Sequence, residues 1–183
     1  PNILAISIDN YLGSNHTYYK WLALYEYLRN NMYAEKMPTD ALWAWLTTEF
    51  EPVEMKGNLL TKMINDGRIL FTLQQLLPNE PIHRIHSYTP KQMAWCMANE
   101  KSVWSYLIEY KHLFTNDLTT IKKYTSPGPF THFFGTGSSP RIGSYIGYKI
   151  VEQFMENNKD ISLNDLMHIA DAQTILEKSA YRP

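Results

Sequence analysis

The stretch MINDGRILFTLQQLLP, residues 63–78, places an acid and a glycine, Asp66-Gly67, inside an otherwise regular amphipathic helix. Glycine in a helix interior costs on the order of 1 kcal/mol relative to alanine, and aspartate is a poor mid-helix residue. A carboxylate held on a helix face is a potential metal ligand or proton acceptor. Zinc hydrolysis needs two histidines one helical turn apart, so that both imidazoles face one ion, and a glutamate that takes a proton from the bound water. No HExxH occurs in the chain. The nearest spacing is HRIH, His83 and His86, which lies between prolines and lacks the glutamate. These two read as surface histidines or as histidines bonded to neighbouring backbone. His132 lies in the glycine-, proline- and serine-rich loop TSPGPFTHFFGTGSSP, and long loops inside compact domains often carry sites. His112 follows a helix and suits its negative end. His168 lies beside a late apolar stripe, and His16 belongs to a helix cap region.

Asp66 therefore has two readings. As a structural group it accepts hydrogen bonds from backbone donors or pairs with Arg141 or Arg68. As part of a residual polar pocket, with Glu49 and Tyr145, it binds a ligand or ion. The ligand-binding candidates are thus Asp66, Glu49, His132, Tyr145 and Arg141. No catalytic residue, metal site or cofactor is assigned. An atypical hydrolase would gather Asp66, Glu49 and His132 around a metal or water. Other nucleophilic arrangements are missing: GTGSSP has neither the strand-Ser-helix elbow of hydrolases nor the lysine of a P-loop. The single cysteine, Cys96 in MAWCMANE, reads as a small buried apolar residue.

These side chains must be positioned by a mostly helical chain. Only ILAISID, Ile3 to Asp9, reads as a strand. Tyr18, Trp21, Leu22, Tyr25, Leu28 and Met32 recur at helical spacing, with Ser14 or Asn15 as cap and Pro38 as stop. Thr39 caps a following helix, DALWAWLTTEF. Leu59 to Leu77 form the next stripe, closed by Pro78, and PNEPIHRIHSY reads as an extended connector. Thr89-Pro90 with Gln92 starts a helix to about Lys111, with Met93, Ala94, Met97, Val103, Trp104, Leu107 and Ile108 inward. Asn116 caps DLTTIKKY, Ser139-Pro140 opens RIGSYIGYKIVEQFMENN, Ser162 to Asp165 is a capping box, and Asp171 caps AQTILEKSAY. Gly67, and Gly143 with Gly147, give smooth faces that another element can approach. The sum is about seven helical segments and one edge strand, a single domain over residues 1–183.

A net charge of −1 gives no reason to expect nucleic acid or an anionic membrane as partner. Aromatic residues make up 14 % of the chain. They suit a core with an amphipathic rim, or exposed stacking platforms for glycan or peptidoglycan at Trp45, Tyr88, Tyr124 and Phe134. No apolar run reaches the roughly 18 residues of a membrane helix. No charged n-region followed by an apolar h-region occurs in the chain, which opens at Pro1 and reads as a fragment whose upstream part is missing.

SIDNYLGSN, MINDGRILFTLQQLLP, YTPKQMAWCMANEKSVWSYLIE, HLFTND, PRIGSYIGYKIVEQFMENN and DAQTILEKSAYRP, in this order, resemble the C-terminal portion of the gliding-motility lipoprotein GldB family of Bacteroidetes. The resemblance implies a cell-envelope lipoprotein, facing the periplasm or in the outer membrane, tethered through a lipidated cysteine upstream of Pro1. It implies association with the gliding and type IX secretion machinery, other envelope proteins as partners, and no established enzymatic activity. That family is distantly similar to zincin-like peptidases, in which INDGRILF resembles the acid-glycine helix, SYIGYKIV the last helix, and ILAISID the edge strand of the cleft. On this alignment Asp66 stands where a third metal ligand belongs, and TDALWAWLTTEF, where HExxH belongs, has no histidine. The implied protein is a non-catalytic binding or scaffold component on a degenerate zincin-like fold.

Overall fold

The computed structural model describes residues 3–50, 57–169 and 171–183. They form ten α-helices and three short 3-10 turns. The helices are α1 Thr17–Trp21, α2 Glu26–Arg29, α3 Met37–Glu49, α4 Leu59–Leu76 and α5 Ile82–Ile85. They continue with α6 Pro90–Glu109, α7 Leu118–Thr125, α8 Ile142–Asn157, α9 Leu163–His168 and α10 Ala172–Ser179. The mainly helical fold is as expected.

The expected edge strand does not form: residues 3–7 have no regular structure, Ile8–Tyr11 is a 3-10 turn, and the described residues contain no strand. Ile3 and Ile8 are 84 % and 71 % exposed. A strand needs a neighbour to take its backbone N–H and C=O groups. Among the described residues the only pairing is a single antiparallel bridge between Leu12 and Tyr33.

The expected helix from Tyr18 to Met32 is cut in two, because Ala23 adopts a left-handed conformation that closes α1. His16 supplies its cap, accepting from the Tyr18 amide. Pro38 does not stop a helix; it occupies the first turn of α3, where its missing N–H is no loss. The proline-rich connector contains α5, and His86 behind it is buried rather than on the surface. On α6, Met93, Cys96, Val103 and Leu107 point inward as a stripe, whereas Met97 and Ile108 are exposed. The cap of α7 is Asp117, one residue beyond the expected Asn116. The capping boxes at Thr89–Gln92 and Ser162–Asp165 and the Asp171 cap form as the sequence predicts.

The centre of the molecule is the α4–α8 pair, which makes the most extensive helix–helix contact. α4 is apolar on nearly every side because it separates two cores. One face joins Leu59, Leu60, Met63 and Ile64 to Ile142, Ile146, Ile150 and Phe154 of α8, with α6, α7 and α10 around them. The other sends Ile69, Leu70 and Leu73 against Leu46 of α3, Ile85, Tyr148 and Met167.

Candidate functional site

Asp66 and Gly67 lie where α4 crosses α8, and Gly67 explains the crossing. A Cβ on Gly67 would stand 2.3 Å from the Gly147 carbonyl oxygen, and a Cβ on Gly147 would stand 1.8 Å from the Met63 carbonyl oxygen. The two backbones touch, and any side chain at either position would separate them. Beside that contact Asp66 is 8 % exposed. Ser144 Oγ donates to its Oδ2 at 2.6 Å, and Lys62 Nζ donates to its Oδ1 at 2.6 Å. Asp66 is thus a brace between α4 and α8. It pairs with neither Arg68 nor Arg141, and its partners are side chains rather than the backbone donors expected.

Arg68 points the other way. Its Nη1 donates to the carbonyls of Leu166, Met167 and Ile169, at 3.3, 3.3 and 3.0 Å, and Nη2 donates to Asn65. The guanidinium caps the end of α9, where carbonyls lack helical partners. Burial lowers its pKa to about 10, and its Nε has no acceptor.

A cavity of about 240 Å³ opens beside Asp66, between α3, α4 and α9. Its described walls are Trp43, Thr47, Phe50, Lys62, Asn65, Asp66, Arg68, Ile69 and Met167. None of the other four candidate residues lines it. Glu49 is exposed at the end of α3. His132 is exposed in the 3-10 turn His132–Phe134, its ring edge-on to Phe133. Tyr145 donates through its hydroxyl to Glu100 Oε2 at 2.9 Å, and Tyr181 donates to Oε1 of the same carboxylate at 2.8 Å. Arg141 donates from Nη2 to the His86 carbonyl at 2.7 Å and lines a separate cleft. Among the described residues no three His, Cys, Asp or Glu side chains gather to hold a metal ion, so Asp66, Glu49 and His132 form no joint ligand set.

The histidines of HRIH separate. The His86 ring is stacked on Tyr88 and meets Tyr145 and Tyr148, with ring centroids at 5.8, 5.8 and 4.7 Å. Burial, reinforced by the charges of Arg141 and Lys149, lowers its pKa to about 3, so it is neutral at physiological pH. Cys96 is buried, which pushes its thiol up to about 11. Of the expected stacking platforms, Tyr88 and Tyr124 are buried in the core, Phe134 packs on Trp95 and Tyr106, and Trp45 is exposed. The large exposed rings lie elsewhere: Trp21 is 79 % and Tyr25 70 % exposed. Sequence reasoning missed Ser144, Lys62 and Glu100. Lys62 was signalled by its position one turn before Asp66; nothing local pointed to the other two.

Fold and site together define an all-helical domain built on a backbone-to-backbone helix crossing, with a carboxylate brace at the joint. The family model described as gliding motility protein GldB matches residues 1–183, and the chain belongs to that family. No curated protein and no solved structure matches the chain.

Proposed function

We propose that this chain is a non-catalytic binding or scaffold component of the cell envelope, working with other envelope proteins of the gliding and type IX secretion machinery. Membership of the GldB family supports the link to gliding motility. No helix of the described residues is long and apolar enough to cross a membrane. In this reading attachment comes from a lipid anchor outside the chain, in the periplasm or at the outer membrane. The degenerate zincin-like reading remains part of the proposal. It rests on the acid-glycine helix crossing a glycine-bearing helix, with Asp66 turned from ligand to brace.

The observation that carries the binding role is the N-terminal segment. Ile3, Leu4, Ile8, Trp21, Leu22 and Tyr25 are all exposed, and apolar side chains concentrated in one exposed segment mark interaction surfaces. Replacing Trp21 and Tyr25 together by alanine in a gliding host is expected to stop motility while the melting temperature of the purified protein stays unchanged, since neither ring belongs to the core. Photo-crosslinking from position 21 would then capture other envelope proteins. Unimpaired gliding by the double variant, or zinc-dependent peptide cleavage by the pure protein, would overturn the reading.

A further inference from the structure

Among the described residues, five other than glycine have a positive φ: Ala23, Ser87, Lys111, Arg141 and Ala180. Each costs on the order of 1–2 kcal/mol relative to a right-handed conformation. Four have an evident cause, because they end helices. After α1, α5 and α6 the same pattern recurs: Ala23, Ser87 and Lys111 donate to the carbonyls of Lys20, Arg84 and Ile108, and the next residue donates to that of Tyr19, His83 or Leu107. This is the paired bonding by which a left-handed residue closes a helix. Ala180 likewise donates to the Glu177 carbonyl at the end of α10.

Arg141 is different. It has φ 51° at the N-cap of α8, where no helix needs closing. The strain is imposed by its surroundings: the Tyr88 hydroxyl and the Ser144 amide both donate to its carbonyl, and its own Nη2 is tied to His86 O. Strained residues held in this way cluster at ligand clamps. Arg141 lines a cleft of about 190 Å³. No carboxylate of the described residues forms an ion pair with it.

The rest of that wall mixes apolar groups, Leu28, Pro127 and Pro140, with polar side chains that have capacity to spare. Asn30, Asn31 and Ser87 line it with no side-chain hydrogen bond inside the described protein. Gln92 uses its oxygen to accept from the Thr89 amide, which leaves the amide nitrogen for another partner. Tyr27, stacked on the exposed Tyr25 at 5.7 Å, gives the cleft an aromatic edge. A guanidinium that has one carbonyl partner but no carboxylate, three side-chain amides, a hydroxyl and a ring face match a hydroxylated monoanion. The volume is below the about 300 Å³ of a drug-sized pocket and admits a single ring.

We propose that this cleft binds an acidic sugar, one residue of an envelope glycan, with its carboxylate on Arg141 and its hydroxyls on Asn30, Asn31, Ser87 and Gln92. Assigning the sugar to the envelope rests on the location proposed above, but binding is tested on the purified protein, so its failure is distinguishable from failure of the motility reading. D-glucuronate is the probe, followed by amide chemical-shift changes at Asn31, Ser87 and Gln92 and by calorimetry. A Kd on the order of 1 mM is expected, as for a small ligand held by a few contacts. D-glucose lacks the charge and N-acetylalanine lacks the hydroxyls, and each should bind at least about tenfold more weakly, the share of one charge-assisted bond. Arg141→Gly removes the binding group and also the backbone strain, because glycine accepts positive φ freely. It should lose glucuronate binding at an unchanged or raised melting temperature. If that variant fails to fold, Arg141→Gln with its native spectrum should show the same loss, and Arg141→Lys should recover part of the affinity. The proposal fails if glucuronate produces no shifts in the cleft. It fails equally if glucose or N-acetylalanine binds as tightly, or if binding survives in Arg141→Gln.

Discussion

Asp66 illustrates how a residue of suggestive type can take part in holding two helices together. Its carboxylate oxygens are engaged separately, one by Ser144 and one by Lys62, so the group ties α4 to α8. Hydrogen bonds to a charged group contribute about 1.5–3 kcal/mol each. Asp66→Asn should therefore lower unfolding free energy by about 1–3 kcal/mol, and Ser144→Ala by a similar amount. The double variant should lose less than the sum of the singles, measured by urea denaturation. Additive losses would show that the two side chains do not act on one another. Cys96 gives a second test at this scale. Its buried thiol, pushed up to about 11, holds little thiolate at neutral pH. Iodoacetamide should leave the native protein unlabelled and label it fully in urea, as mass spectrometry would read. The sequence made Asp66 and Cys96 visible by type and position. It did not show Ser144 or Glu100, because which side chains meet across 78 or 45 residues of chain depends on helix orientation.

At the scale of elements, the caps were the most legible feature. Thr89 with Gln92 and Ser162 with Asp165 act within three residues, so local chemistry decides them. The glycines of α4 and α8 were legible as sites of close approach, though not as partners of each other. Their contact yields a prediction that reverses the usual propensity rule. Glycine to alanine inside a helix normally stabilises by about 1 kcal/mol. Gly147→Ala would instead place its Cβ 1.8 Å from the Met63 carbonyl oxygen. Overpacking of this kind costs about 1–3 kcal/mol or more. The variant should melt well below the parent in a thermal circular dichroism scan. Equal or higher stability would mean that the helices are not in backbone contact. The N-terminal strand was illegible for a complementary reason: β-branched residues describe a preference, and a strand forms only where another backbone accepts its hydrogen bonds.

For the whole molecule, burial of the neutral His86 imidazole contributes to the response to acid. The His86 pKa falls from 6.5 to about 3 on folding, first because burial disfavours its charged form and then because Arg141 and Lys149 lie near. The unfolded chain takes up a proton in that interval and the folded chain does not. The stabilising effect of the neutral ring is therefore present in full above about pH 6.5 and is lost as pH falls toward about 3. Urea midpoints measured near neutrality and at about pH 4.5 should differ for the parent and differ less for His86→Phe. A variant with the same acid sensitivity as the parent would remove His86 as the cause. The sequence placed His86 on the surface because prolines flank its segment, and it could not show that three tyrosines from α8 and the α5–α6 link enclose the ring.

The joint between Gly67 and Gly147 has one more effect, on how the domain can move. Contact between two main chains contains no rotamer that could relax, so α4 and α8 are expected to move together as a single axle. Any displacement on engaging another molecule is left to the pieces mounted on that axle, above all the thinly covered α1 and α2. Hydrogen exchange should therefore grade from slow along the axle to fast at Trp21 and Tyr25.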